Sequence, residues 1–201
     1  VIEQLRGDRA GQGISGAAER LSFSGVGGSD EFRRELISKI QALGTVTKLS
    51  QGEKVDETHI ALTGGSQGGG ITIAAAALSD GISLCIPDVP FLCHFRRAVG
   101  LTEQFPYQEI VKYLSTQRHH EEEAFNTLDY FDGMNMAPRI KAKSLFSTSL
   151  MDTICPPSTV FAAYNHVEAP KEIKVYNFNN HEGGGSHHDL VKLKFIQTAW
   201  D

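Results

Sequence analysis

The apolar positions of this chain fall into short unbroken runs separated by longer stretches with helical periodicity. Residues 58–63, Thr58-His-Ile-Ala-Leu-Thr63, combine β-branched and apolar side chains without a breaker and predict a buried strand. Ile82-Ser-Leu-Cys-Ile86 predicts a second strand, stopped by Pro87. Residues 144–149 and 172–178 predict a third and a fourth. Between the first two strands, the alanines of residues 71–78 favour helix. Residues 94–140 read as a helical insertion between strands, with 107–114 and 121–131 as its clearest segments. A last helix is expected over residues 189–200, with Leu190, Leu193, Phe195 and Ile196 as its buried stripe. Nearer the start, Phe32, Leu36, Ile40 and Leu43 recur at helical spacing, Ser29 or Asp30 can cap that helix, and Gly44 can end it. The glycine-rich stretches 6–16 and 23–30 read as loops. Strands alternating with helices predict one α/β domain over residues 1–201, a mostly parallel sheet with helices on both faces.

Composition narrows the class of function. The 201 residues are 40% hydrophobic and 21% charged, which is ordinary for a globular domain. Nineteen Lys and Arg stand against 24 Asp and Glu, a formal charge of −5, and no basic stripe offers the electrostatic footprint of nucleic-acid binding. No apolar run approaches the ~20 residues that span a bilayer, so no membrane partner is expected. The opening Val1-Ile-Glu-Gln-Leu-Arg6 does not read as a signal peptide. Cys85, Cys93 and Cys155 make an odd count in apolar surroundings; free, partly buried thiols and a reducing, cytoplasmic compartment are the expectation. Their spacing is not that of metal ligands, so neither a zinc site nor any cofactor is expected.

The chemistry concentrates after the first strand, at Gly64-Gly-Ser-Gln-Gly68. A serine on a tight strand-to-helix turn takes a strained backbone, tolerated when its neighbours two positions away lack side chains. Gly64 and Gly68 meet that need and lift the Ser66 hydroxyl to a helix N-terminus. There the Gln67 amide and the helix dipole can stabilise an oxyanion. A glycine-rich helix start that binds nothing, or a phosphate, is the plainer reading; no Lys-Ser/Thr pair follows the glycines, which disfavours a nucleotide loop. A serine of this kind needs an acid and then a histidine, in that chain order. Asp152 follows the third strand and His181 the fourth, so both fall on the sheet edge that carries Ser66. Taken singly, Asp152 reads as a turn residue and His181 as a surface histidine; their joint placement favours a nucleophile–base–acid triad. Asp88, also at a strand end, is the second candidate acid. His187 and His188 are read as exposed or capping residues, His119 and His120 as part of a solvated charged face. His94 and His59, the latter within the first strand, are read as packing or hydrogen-bonding residues.

Four segments, Gly64-Gly-Ser-Gln-Gly-Gly-Gly70, Asp88-Val-Pro-Phe-Leu-Cys-His-Phe-Arg-Arg97, Pro156-Pro-Ser-Thr-Val-Phe-Ala-Ala-Tyr-Asn165 and Asn180-His-Glu-Gly-Gly-Gly185, together resemble the acetyl xylan esterase / cephalosporin C deacetylase family, carbohydrate esterase family 7. The resemblance runs from about residue 58 to the end of the chain. It implies the α/β-hydrolase fold and removal of acetyl groups from short xylo-oligosaccharides and cephalosporin-type acetates. It places the nucleophile on Ser66, the acid on Asp152 and the base on His181. The partners implied are small acetyl esters and acetylated oligosaccharides, together with further copies of the chain in a homo-oligomer. Pro90, Phe91 and Ile154 lie close enough to these motifs to be candidates for the acetyl pocket. The family's Arg-Gly-Gln-Gly motif has its counterpart in Arg9-Ala-Gly-Gln-Gly13, with Ala10 inserted. Family strands before that motif, one leading to a tyrosine whose amide completes the oxyanion hole, have no counterpart, so an N-terminally shortened hydrolase is expected. Two rivals follow: a hydrolase of the same fold with another acyl preference, and a weak or inactive relative serving as a binding or assembly module.

Overall fold

The structure is a computed structural model that describes residue 56 and residues 58–201. The early helix, the glycine-rich loops and the segment Arg9–Gly13 lie outside the described residues. Four parallel strands, β1 (Ala61–Gly65), β2 (Leu84–Asp88), β3 (Lys143–Ser149) and β4 (Lys171–Tyr176), form a sheet in the order β1-β2-β3-β4. Each parallel step needs a crossover. Helix α1 (Gln67–Leu78) supplies the first and α6 (Pro157–His166) the third. The second carries α2 (Phe95–Ala98), α3 (Tyr107–Thr116), α4 (Glu121–Leu128) and α5 (Gly133–Met136). The chain closes with α7 (Gly185–Trp200).

Period-two alternation divides the buried strand residues between two cores. Cys85 and Phe146 face α1, α5 and α6, packing with Ile73, Ala76, Met136, Val160 and Ala163. Leu84, Ile86 and Leu145 face the other way, against Phe195 and Ile196 of α7. Helices therefore cover both faces, which is why β2 and β3 lack the alternation of a half-exposed strand. Each large apolar side chain buried this way contributes about 1.5–3 kcal/mol. A third cluster, Phe91, Phe95, Ala98, Tyr107 and Cys155, fills the space beyond the C-terminal end of β2.

Several expectations need correction. Pro87 does not stop β2 but lies inside it: β1 pairs through it, while the β2–β3 register passes from Cys85 directly to Asp88. The proline has no N–H to donate, so the strand continues and only one ladder is interrupted. Helix α1 begins at Gln67, ahead of the alanines, and α7 at Gly185, so the glycines are helical as well as loop residues. On α7, Leu190 is 66% exposed and Leu193 45% exposed, against 7% and 8% for Phe195 and Ile196. The covered face instead runs through His188, Phe195 and Ile196, with Val191 and Ala199 packed beside them. His59 precedes β1 and is half-exposed, its Nδ1 2.6 Å from Asp56 Oδ2 and its ring edge-on to Trp200.

Candidate active site

Ser66 joins β1 to α1 with φ 54° and ψ −117°, outside the comfortable regions for an L-residue. Three glycine contacts explain how the chain sustains it. A Cβ on Gly64 would sit 2.5 Å from the Gly68 carbonyl oxygen, so strand and helix meet backbone to backbone. A Cβ on Gly69 would come within 2.8 Å of the Asp88 carbonyl oxygen, and one on Gly70 would strike the Phe91 carbonyl. The run Gly68-Gly-Gly70 therefore serves two contacts, the elbow itself and the 88–92 segment laid across the start of α1. That segment holds the turn in return: Ser66 N–H donates to the Asp88 carbonyl at 2.9 Å, and Phe91 N–H to the Ser66 carbonyl at 2.9 Å. Val89, Leu92 and His94 also have positive φ, at 35°, 64° and 50°. Strain of this kind persists only where surroundings over-determine it. Asp132 supplies part of that constraint: its carboxylate accepts His94 N–H at 2.7 Å, Phe95 N–H at 2.9 Å and Met134 N–H at 2.9 Å. Burial pushes this carboxyl up despite the three amides.

The three residues singled out from chain order meet at the C-terminal edge of the sheet. His181 Nε2 lies 2.8 Å from Ser66 Oγ, and His181 Nδ1 lies 2.9 Å from Asp152 Oδ2. The Asp152 side chain is fully buried, that of His181 about a quarter exposed. Asp152 Oδ1 accepts N–H groups from Ile154 at 2.9 Å and Cys155 at 2.8 Å, so the turn after β3 fixes the carboxylate. His181 comes from the loop between β4 and α7, whose Gly183 and Gly185 take φ of 61° and 50°. Gln67 opens α1, where its N–H has no preceding turn to bond and is free of an intrahelical acceptor.

A cleft of about 350 Å³ opens over this group, lined by Gly65, Ser66, Asp88, Val89, His181 to Gly185, His188 and Asp189. Its volume lies in the range of small-molecule sites, about 300–1,000 Å³. Pro90 and Phe91 are buried and do not line it, Phe91 lying edge-on against Phe95 and Tyr107. Ile154 packs partly buried against the same aromatic cluster. All three cysteines are buried and unpaired. Burial and the Asp152 charge push the Cys155 thiol well up, against a smaller hydrogen-bond effect of Ser66, so it is no rival nucleophile. Asp152, Cys155 and His181 offer donor atoms within 4.8 Å of one another. Those of Asp152 and His181 are already committed to each other, to two amides and to Ser66, which fits a hydrogen-bonded triad better than a cation site.

His187 is exposed as expected, but His188 is 2% exposed and fully inside the molecule. A last helix starting at residue 189 leaves His188 outside it, whereas the helix starts at Gly185 and carries His188 on its buried face. The available signal was spacing: His188, Lys192, Phe195 and Ala199 follow a 4-3-4 pattern, one face of α7. Asp88, the second candidate acid, faces His188 and Lys192, not His181. His119 and His120 form an exposed turn before α4, with His120 Nδ1 2.8 Å from Glu123. Among the described residues no helix is long and apolar enough to cross a membrane.

Comparison with known proteins identifies the family. The profile of the family described as acetyl xylan esterase (AXE1) matches residues 29–199. The chain is 30% identical over 131 residues to the acetyl esterase Axe7A of Xylanibacter ruminicola, covering 63% of this chain and 28% of that protein. Among solved structures, an acetyl xylan esterase from Paenibacillus sp. R4 superposes with a TM-score of 0.73 at 46% identity, over 79% of this chain and 50% of that one. Acetyl xylan esterase 1 from Thermoanaerobacterium sp. JW/SL YS485 gives 0.74 at 34% identity, over 90% and 60%. The Pyrococcus horikoshii acylaminoacyl peptidase, at 16% identity and a TM-score of 0.62, shares the fold. The chain thus spans between about a quarter and three fifths of these esterases' own lengths.

Proposed function

The chain belongs to the acetyl xylan esterase family, and from that premise we propose that the protein is a serine esterase removing acetyl groups through an acetyl-enzyme intermediate. The observation that carries the reading is the unbroken line from Ser66 Oγ through both nitrogens of His181 to Asp152, at 2.8 and 2.9 Å. Asp152 keeps a proton on Nδ1, which leaves Nε2 as the base facing Ser66. As Ser66 Oγ attacks the acetyl carbonyl, its proton passes to Nε2, and Asp152 steadies the imidazolium. The carbonyl oxygen gains the negative charge and turns to the Gln67 N–H at the head of α1. Collapse of the tetrahedral species breaks the ester C–O bond; the alcohol leaves with the proton from Nε2 and Ser66 holds the acetyl group. A water, deprotonated by the same nitrogen, releases acetate and restores the serine. One oxyanion donor contributes about 10²–10³ in rate, so a second amide beside Gln67 would be a large term.

The substrates of this reading are acetylated xylo-oligosaccharides and cephalosporin-type acetates. Family membership supports the acetyl ester. No step calls for a metal or an organic cofactor. The test is release of p-nitrophenol from p-nitrophenyl acetate, then acetate from acetylated xylo-oligosaccharides and cephalosporin C, beside a Ser66→Ala control. Hydrolysis lost in Ser66→Ala supports the mechanism. Butyrate or peptide substrates turned over faster than acetate would move the protein to another hydrolase class of the same fold. A folded protein no faster than its control would overturn the enzyme reading.

A further inference from the structure

The acyl-transfer steps leave a second polar cluster unused, although it shares a wall with the cleft. At its centre is Asp88, the last residue of β2. Ser147 Oγ–H donates to Asp88 Oδ1 at 2.6 Å, and Lys192 Nζ donates to Oδ2 at 2.7 Å. His188 Nε2 lies 2.6 Å from Oδ1, a close contact off the line of a well-aligned hydrogen bond. The other ring nitrogen of His188 is 2.7 Å from the Tyr176 hydroxyl. Lys192 also reaches Asp189 Oδ1 at 2.9 Å. Burying so many ionisable groups against apolar packing is costly, and stability alone is a weak reason to keep them.

Their attachments give a better reason. Tyr176 ends β4, and His188 lies in the first turn of α7. Residues 177–184 between them form the loop that carries His181. The contact from Tyr176 to His188 therefore clasps that loop at its two ends. Asp88 takes the clasp past β3 to the end of β2, where its own backbone carbonyl holds Ser66 N–H at 2.9 Å. A single line of contacts, Tyr176–His188–Asp88–Ser66, thus joins the support of the base to the support of the nucleophile. The loop needs such a tie because Gly183 within it and Gly185 at its junction with α7 both sit at positive φ and offer little stiffness of their own. Gly184 lies directly under the Tyr176 ring, with no room for a Cβ, so the same tyrosine presses on the loop from above.

We propose that Tyr176, His188 and Asp88 are positioning residues that hold the His181 loop in register with Ser66. They touch no reacting atom; they act through His181, and the proposal rests on the serine-esterase reading. A displacement of about 1 Å between catalytic groups can cost up to about 10²-fold in rate, so a loosened clasp shows first in kcat.

The mildest test is Tyr176→Phe, which removes one hydroxyl and keeps the ring over Gly184. His188→Gln and His188→Ala complete the set, the amide retaining a polar reach toward both partners that alanine lacks. The measurements are kcat and KM on p-nitrophenyl acetate, the thermal midpoint, and the low-field proton resonance of the His181–Asp152 hydrogen bond. In Tyr176→Phe, kcat should fall about tenfold with KM within about twofold. The midpoint should fall by only a few degrees, because the buried His188 Nδ1 loses its partner, and the low-field resonance should broaden, while His188→Gln recovers more of kcat than His188→Ala. An unchanged kcat and resonance in Tyr176→Phe would overturn the proposal, as would a kcat loss that only tracks the unfolded fraction. A parallel Ser66→Ala control separates the two failures. Wild-type hydrolysis that survives it overturns the serine reading itself, whereas serine-dependent hydrolysis indifferent to Tyr176→Phe overturns only the positioning role.

Discussion

Replacing Asp152 by Asn should leave the protein folded and nearly stop it working. Asp152 Oδ1 accepts two backbone amides, from Ile154 and Cys155, at 2.9 and 2.8 Å. An asparagine must turn its carbonyl oxygen to those donors, since its NH2 group there would face N–H with N–H. The NH2 is then left facing His181 Nδ1, now 2.9 Å from the carboxylate. That nitrogen must become the acceptor, so the imidazole proton moves to Nε2 and points at Ser66 Oγ. The base is blocked by its own proton, and the imidazolium has lost its counter-charge. A wrong tautomer of this kind costs about 10⁴ in kcat in serine triads, or about 5 kcal/mol of barrier. Stability should change by no more than about 1 kcal/mol, because both amide bonds survive. Asp152→Ala strips both amides as well and, at about 1–3 kcal/mol for each unsatisfied group, should lose at least about 2 kcal/mol in addition to activity. Steady-state hydrolysis of p-nitrophenyl acetate with urea unfolding of both variants decides the matter. An Asn variant within tenfold of wild-type kcat, at unchanged stability, would refute the assignment of Asp152 as orienting acid.

Gly70→Ala drives a Cβ into the Phe91 carbonyl, an overpacking that should destabilise by about 1–3 kcal/mol, read as a lowered urea midpoint. Asp132→Ala leaves the His94, Phe95 and Met134 amides without their acceptor; at about 1–3 kcal/mol for each unsatisfied group, a loss of at least about 3 kcal/mol should appear in the same assay. For Asp88, burial pushes the carboxyl up, but His188, Lys192 and Ser147 outweigh it and hold the group below its ordinary 3.8. A depressed folded value stabilises the native state above the unfolded value and is lost as pH falls through the folded one. Wild type should therefore lose thermal stability below about pH 4 more steeply than Asp88→Asn, and equal slopes would refute the ionised role.

Much of this site was legible because its signals are local. The glycine spacing around Ser66 is dictated by the collision of Gly64 with Gly68, and a collision between residues four apart can be read from sequence. Asp152 and His181 were found because strand ends in a parallel sheet share one edge, so chain order stands in for distance. Partnerships made across elements were not legible. Nothing near Asp88 in the chain says that its carboxylate meets His188 and Lys192, both a hundred or more positions away. The stripe of α7 failed for a related reason. Leu190 and Leu193 look buried by hydropathy, yet the sheet presents Asp88 as well as Ile86 to that helix, and the helix turns a histidine and a lysine inward to meet it. Pro87 misled in the other direction, because a breaker in one ladder is tolerated when the second ladder pairs through it.

The structure holds two aspartate–histidine contacts at one sheet edge, at 2.9 Å for Asp152–His181 and 2.6 Å for Asp88–His188. The shorter contact is the less suited to catalysis. Asp88 is saturated: Ser147, Lys192 and His188 all draw on its two oxygens, and the lysine already neutralises its charge. Its histidine is 2% exposed, with the Tyr176 hydroxyl on one ring nitrogen and Asp88 against the other, so neither nitrogen is open to a substrate. Asp152 is arranged differently. Two neutral amides occupy one oxygen, and among the described residues no lysine or arginine pairs with the carboxylate, so the other oxygen can respond to a charge appearing on His181. His181 in turn keeps a partly exposed ring and points its free nitrogen at a hydroxyl on a helix N-terminus. A base that must gain and lose a proton in each turnover needs a partner whose charge is still available. Only one of the two pairs has it, and that pair lies beside Ser66.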